Sequence, residues 1–145
     1  MFRDYTRQKY DATHPNLSYP YVEKAGKEWK INNKDQVTAW KTLTMAMELD
    51  VDAALMCCSW GMFQVLGANH WMTGHRTVQK FVEEVKSGEV GQLNIFVEYC
   101  KKKSGMMAAL KSKDFRNMAF LYNGKHYGDY DVKIANAYKK LLKDN

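Results

Sequence analysis

From Asn33 to the C-terminus, apolar residues return every three or four positions, the spacing of helices that bury one face. Asn33 and Gln36 stand at capping-box spacing, and Val37, Trp40, Leu43, Thr44 and Met47 follow on one face. Asp50 or Asp52 is placed to cap a next helix. Its body, Ala53-Ala54-Leu55-Met56-Cys57-Cys58, is apolar on every side, which predicts a central buried helix. Thr77 precedes Val78, Phe81, Val82 and Val85, and Ser87-Gly88 stops that helix. Val90, Leu93, Phe96, Val97 and Cys100 mark another, ending near Ser104-Gly105. A short helix through Phe115, Met118, Ala119 and Tyr122 stops at Asn123-Gly124, and Ile134, Ala135, Tyr138, Leu141 and Leu142 outline the last.

The first 34 residues lack this rhythm. Thr13-His14-Pro15-Asn16-Leu17-Ser18-Tyr19-Pro20 has turn chemistry and holds both prolines of the chain. An irregular lobe, with a small β-hairpin within residues 15–35, is expected there. The pattern as a whole predicts a mainly α, single helical domain over residues 1–145, long enough to bury a core without disulfides or metals.

Composition narrows the function classes. No apolar run approaches the roughly 20 residues that span a bilayer, so membrane insertion is not expected. Met1-Phe2-Arg3-Asp4-Tyr5 lacks the apolar stretch of a secretory signal. A cytoplasmic location follows, with access to a cell wall only after a membrane lesion or dedicated export. Cys57, Cys58 and Cys100 are odd in number and form no disulfide framework; small buried core residues are their expected role. His14, His70, His75 and His126 are scattered, and His70 and His75 miss the i, i+4 spacing of a helical metal pair. Glu83 and Glu84 fit a solvated helix face. No metal and no cofactor is expected, and Gly61, Gly67 and Gly74 fit no phosphate-cradling loop. The net charge of +6, gathered around Lys101-Lys102-Lys103, Lys111, Lys113, Lys139, Lys140 and Lys143, reads as solvated helix faces or as attraction to a polyanion: wall polymer, membrane surface or nucleic acid.

One segment stands out chemically. Ser59-Trp60-Gly61-Met62-Phe63-Gln64 continues into Val65-Leu66-Gly67-Ala68-Asn69-His70. A glycine within an apolar helical pattern costs about 1 kcal/mol against alanine, so Gly61 needs a reason, such as a turn beside a ligand. Ser59 is a competent N-cap, and Gln64 offers a donor and an acceptor. Trp60, Gln64 and Asn69 could supply the apolar platform and paired polar groups that a sugar ring requires. The plainer reading keeps Trp60 and Phe63 in the core and leaves Ser59 a cap. Some sixty residues later, Phe120-Leu121-Tyr122-Asn123-Gly124 is a helix stop in its own right.

Taken together, the two segments resemble the phage-type N-acetylmuramidase family, lysozyme-like enzymes that cut peptidoglycan glycan strands. Ser59, Trp60, Gly61, Phe63, Gln64, Gly67 and Asn69 stand where the family pattern has them, and Tyr127 and Tyr130-Asp131 continue it. Cys57-Cys58 depart from the small residues expected before the motif, and His75 stands where an aromatic is more usual. The resemblance implies a lysozyme-like fold. One cleft wall would run from Ser59 to Asn69, and Tyr122 and Asn123 would bind substrate or border the catalytic acid. In the family that acid is a glutamate in a Glu-x-His-x-Phe segment. Phe2 matches its final Phe, so the glutamate is expected four residues upstream, before Met1. Glycoside cleavage needs such an acid in an apolar pocket that keeps it protonated.

Three explanations stay open: a chain that begins late, takeover by Asp4, Asp11, Glu23 or Glu28, or a degenerate muramidase kept as a binding or inhibitory module. Glu23 and Glu28 are the replacement candidates carried forward. The expected partner is a peptidoglycan glycan strand, with a protein or nucleic acid as the alternative. The resemblance places the family's glutamate at the end of a first helix; if that helix belongs to the core, a domain lacking it would expose an apolar groove that invites homodimerisation.

Overall fold

The computed structural model describes residues 1–20, 22 and 26–144. Its elements run α1 (Phe2–Tyr5), α2 (Lys27–Asn32), α3 (Gln36–Leu49), α4 (Val51–Met56), β1 (Ser59–Trp60), β2 (Val65–Leu66), a 3-10 helix (Gly67–Thr73), α5 (Val78–Lys86), α6 (Glu89–Lys102), α7 (Met106–Ser112), α8 (Phe115–Asn123) and α9 (Tyr130–Lys143). The architecture is mainly helical, with a two-stranded antiparallel sheet. It divides into two compact units, Met1–Phe96 and Val97–Asn145.

In the first unit, side chains fix where helices begin. Asp35 caps α3 by accepting from the Thr38 N–H at 2.7 Å. The Asn33–Gln36 box is therefore not used, because Asn33 is engaged in closing α2 through its N–H to Trp29 O. Asp50 caps α4, accepting from the Ala53 N–H at 2.9 Å, as expected. The buried helix is shorter than its apolar run: α4 stops at Met56, and Cys57 and Cys58 lie beyond it, half-buried. Helical period in α3 is right but its phase is shifted. Leu43 and Ala46 are buried, whereas Val37 and Trp40 are 65% and 50% exposed. Ala46, Ala53 and Ala54 are three of the five buried residues of the packed pair α3 and α4, so close helix approach sets the phase rather than the largest side chains. α5 follows its sequence pattern: Thr77 accepts from the Lys80 N–H, and Val78, Phe81, Val82 and Val85 are buried. Each such side chain stabilises the fold by roughly 1.5–3 kcal/mol.

The N-terminal segment has α1, turns through Thr13, and α2. Among the described residues of 15–35 there is no strand, and the hairpin lies instead at residues 59–66. Tyr10 fastens the segment down, its hydroxyl donating to Leu49 O at 2.7 Å, with buried Phe2 stacked on its ring.

The second unit packs α8 against α7 and α9. Helix α7 was not legible as a helix, since only Met106 and Ala109 are buried in its seven residues and both flanking residues, Gly105 and Lys113, are left-handed. In α6, which continues from one unit into the other, Ile95, Tyr99 and Cys100 are buried while the expected Val90 and Leu93 are 74% and 50% exposed. Asp114 caps α8 through the Asn117 N–H, and Gly124 ends it at φ 77°. α9 runs as the pattern predicts, but none of its residues is buried.

Candidate functional site

The Ser59–Gln64 segment is a strand and a turn rather than a helix start. Ser59 pairs with Leu66 and Trp60 with Val65, so Ser59 is a strand residue and caps no helix. The four residues between the strands make the turn. Gly61 has φ 69°, and Gln64 has φ 53°, left-handed for a non-glycine residue. Such a conformation costs on the order of 1 kcal/mol. Part of that is offset locally, because the Gln64 Nε2 donates to Gly61 O at 2.9 Å.

Two residues hold the turn from below. The Met62 N–H donates to Gln92 Oε1 at 2.8 Å, and the Gln92 Nε2 donates to Val85 O at 3.1 Å. Gln92 therefore ties the turn to the end of α5, lying so close that a Cβ on Gly61 would meet its carbonyl oxygen at 2.8 Å. Phe63 stacks on Phe96 with centroids 4.3 Å apart. Neither Gln92 nor that stacking was legible in the sequence, since a lone glutamine thirty residues away carries no local signal. Behind the hairpin, Gly67 lies against α4: its N–H donates to Cys58 O, and a Cβ there would come within 2.2 Å of Leu55 O.

Of the expected sugar-facing residues in this unit, Ser59 and Gln64 are exposed and Asn69 is half-buried in the 3-10 helix. Trp60 is different. It is 8% exposed, its indole N–H donates to Leu55 O at 3.0 Å, and its ring meets Trp40 edge-on. Trp60 supports the hairpin from the core, so it is not the expected apolar platform. Trp71, in the same 3-10 helix as Asn69, is 66% exposed; no apolar period in the sequence marks that ring as outward.

An apolar hollow of about 350 Å³ opens elsewhere in the first unit, lined by residues that include Met1, Phe2, Tyr19, Trp29, Leu43 and Cys57. Burial pushes the Cys57 thiol up to about 12 and the Tyr19 phenol upward as well. The Cys57 thiol is thus a poor nucleophile near neutral pH. Glu28 sits half-buried in the first turn of α2, between Gly26 and Trp29, which line the hollow. Glu23 lies outside the described residues. Asp11 is engaged by Arg3 at 2.8 Å and by the Ser18 hydroxyl at 2.6 Å, and exposed Asp4 pairs with the N-terminal amine. None of the buried residues described is Asp or Glu. Glu84 is no solvated face residue: it bonds His75 Nε2 at 2.6 Å, while His75 Nδ1 lies 2.8 Å from the Thr73 hydroxyl.

In the second unit, Tyr122 is half-buried and packs edge-on against Tyr99 at 5.5 Å. Burial holds its phenol well above the ordinary tyrosine range, so it acts as a neutral donor or acceptor. Asn123 is exposed in the last turn of α8. Among the described residues, no group of three or more His, Cys, Asp or Glu is placed to hold a metal ion.

Comparison with known proteins gives a consistent result. The family model for N-acetylmuramidases matches residues 1–142. No curated protein sequence matches the chain. Among solved structures, the crystal structure of the Burkholderia AP3 phage endolysin is similar, with a TM-score of 0.76 and 29% identity. That match covers 99% of this chain and 53% of the endolysin, so the chain spans about half the length of the protein it matches. The similarity makes the helical architecture with its small hairpin a lysozyme-like, endolysin fold.

Proposed function

The chain belongs to the N-acetylmuramidase family, and from that membership we propose that it holds a peptidoglycan glycan strand along the 59–69 hairpin and 3-10 helix. The carrying observation is the hairpin turn. It is clamped by Gln92 and Phe96, yet presents Ser59 and Gln64 to solvent at the cost of a left-handed residue. Strain kept at an exposed polar position is a feature of ligand sites. Trp71 offers the exposed aromatic surface that Trp60 does not, and the amide of Asn69 completes a polar pair. Tyr122 and Asn123, in the second unit, are proposed as glycan-binding residues in their own right.

The reaction this site would serve is hydrolysis of the bond between N-acetylmuramic acid and N-acetylglucosamine. A general acid for it must be a carboxyl kept protonated by an apolar pocket, and the buried residues described include none. That observation favours a second reading beside the first: residues 1–145 bind the glycan strongly and cleave it weakly. A phage or prophage origin suits both readings. Glu28, beside the apolar hollow, is the carboxylate proposed for any residual cleavage.

The test is retention on purified peptidoglycan together with release of reducing ends. Retention that falls about tenfold in Gln64→Asn, with reducing ends near background in both proteins, is the expected result. Asparagine tolerates the left-handed region, so the turn survives the change. Absence of retention by the parent protein would defeat the proposal. Cleavage lost in Glu28→Gln would identify that carboxyl as the acid.

A further inference from the structure

The two units differ sharply in charge. Residues 1–96 contain 11 Lys and Arg against 11 Asp and Glu, whereas residues 97–145 contain 11 against 5. The whole net charge of +6 therefore resides in the smaller unit. Ten of its eleven cationic residues are lysines, Arg116 being the exception.

Within that unit, α9 joins the charge to exposed apolar surface. At about 100° per residue, Ile134, Ala135 and Tyr138 share one sector of the helix and are half-buried, in a helix packed on α8. Leu141 and Leu142 continue that sector into the last turn, where they are 63% and 62% exposed. Lys139 borders the leucines on one side, while Lys140 and Lys143 lie about 150° from the middle of their sector, on the polar face of the helix. Lys133 is paired with Asp129 at 3.0 Å, but among the described residues Lys139, Lys140 and Lys143 make no ion pair. An apolar stripe that ends in exposed leucines and is backed by a lysine-rich polar face is the pattern of a helix that rests on a lipid surface. The lysine stems can lie along the headgroup boundary while the ammonium groups meet anionic lipid.

We propose that the last turn of α9 docks the domain on the surface of an anionic phospholipid bilayer. The association is peripheral, since no described helix is long and apolar enough to cross a membrane. A nucleic acid would leave the leucines without an apolar partner, and its usual recognition by arginine forks and stacked aromatics is poorly served by a tip of lysines and leucines. The proposal is independent of any hydrolytic activity.

Co-sedimentation of the full chain with vesicles tests it. Vesicles of phosphatidylglycerol and phosphatidylcholine should retain the protein in low salt, and vesicles of phosphatidylcholine alone should not. The triple variant Lys139→Gln, Lys140→Gln, Lys143→Gln should lower the partition coefficient roughly 100-fold, at about fivefold for each lysine. Leu141→Ser with Leu142→Ser should lower it roughly tenfold, and Lys80→Gln in the first unit should leave it unchanged. All these positions are exposed, and unchanged thermal unfolding will show that the variants fold. No retention on anionic vesicles overturns the proposal. Retention that ignores the leucine substitutions, matched by equal binding to double-stranded DNA, also overturns it and leaves only unselective attraction to polyanions.

Discussion

Gly67 is a position where one methyl group decides whether the hairpin can lie on α4. An alanine there would place its Cβ 2.2 Å from the Leu55 carbonyl oxygen, and backbone cannot yield as a side-chain tip can. Gly67→Ala is expected to lower stability by about 2–3 kcal/mol, read from denaturant unfolding. Gln64 presents the opposite case. Gly at that position removes the strain of φ 53°, so Gln64→Gly should unfold at or above the parent temperature while losing retention on peptidoglycan. Cys57 gives a pH signature. Its thiol is held up to about 12 by burial, from an ordinary value of 9.0, so the folded state resists losing that proton. Stability from this group is complete below about pH 9 and is lost as pH rises towards 12. Cys57→Ala should flatten that alkaline decline in pH-dependent urea unfolding. At this scale the sequence was partly legible: Asp50 and Thr77 cap where their types and positions indicate. Trp60 was not, because an exposed and a buried tryptophan look alike until the carbonyl that meets its N–H is known.

At the scale of elements, the hairpin depends on α6. Gln92 accepts from the turn at Met62 and donates to the end of α5 at Val85. Gln92→Ala removes both bonds, and a loss of about 1–2 kcal/mol is expected. Amide exchange at Met62 should accelerate, and peptidoglycan retention should weaken although Gln92 is not proposed to touch the glycan. If exchange at Met62 is unchanged, the clamp is not what orders the turn. The helices themselves were easier to find than their faces. α3 and α6 have their expected period, yet Val37, Trp40, Val90 and Leu93 are outside and Ala46 and Tyr99 inside. Period is a local property, whereas phase is chosen by which neighbour packs against the helix, and small residues there permit the closest approach.

For the molecule as a whole, charge is distributed by unit rather than by element. A chain whose first 96 residues are neutral and whose remainder carries +6 should bind a cation exchanger through the smaller unit. Replacing Lys101, Lys102 and Lys103 by glutamine should shift elution to clearly lower salt than replacing Lys27, Lys30 and Lys34, provided local charge density governs retention. Equal shifts would mean that only the net count matters.

The sequence by itself determined the helical class, the caps at Asp50 and Thr77, the stops after α5 and α8, and the family, because capping residues, stop glycines and the Ser59–Asn69 and Tyr122–Gly124 segments act or are recognised over short stretches of chain. Tertiary structure alone decided that Ser59-Trp60 is a strand, that Trp60 lies inside while Trp71 lies outside, and that Gln92 holds the turn. Each of those outcomes rests on a partner outside the residue's own local pattern: Leu66 across the hairpin, Trp40 on another helix, or a glutamine thirty residues away from Met62. Hydrogen-bonding capacity and side-chain volume are written into each residue, but the group that satisfies them is chosen only when the chain has folded.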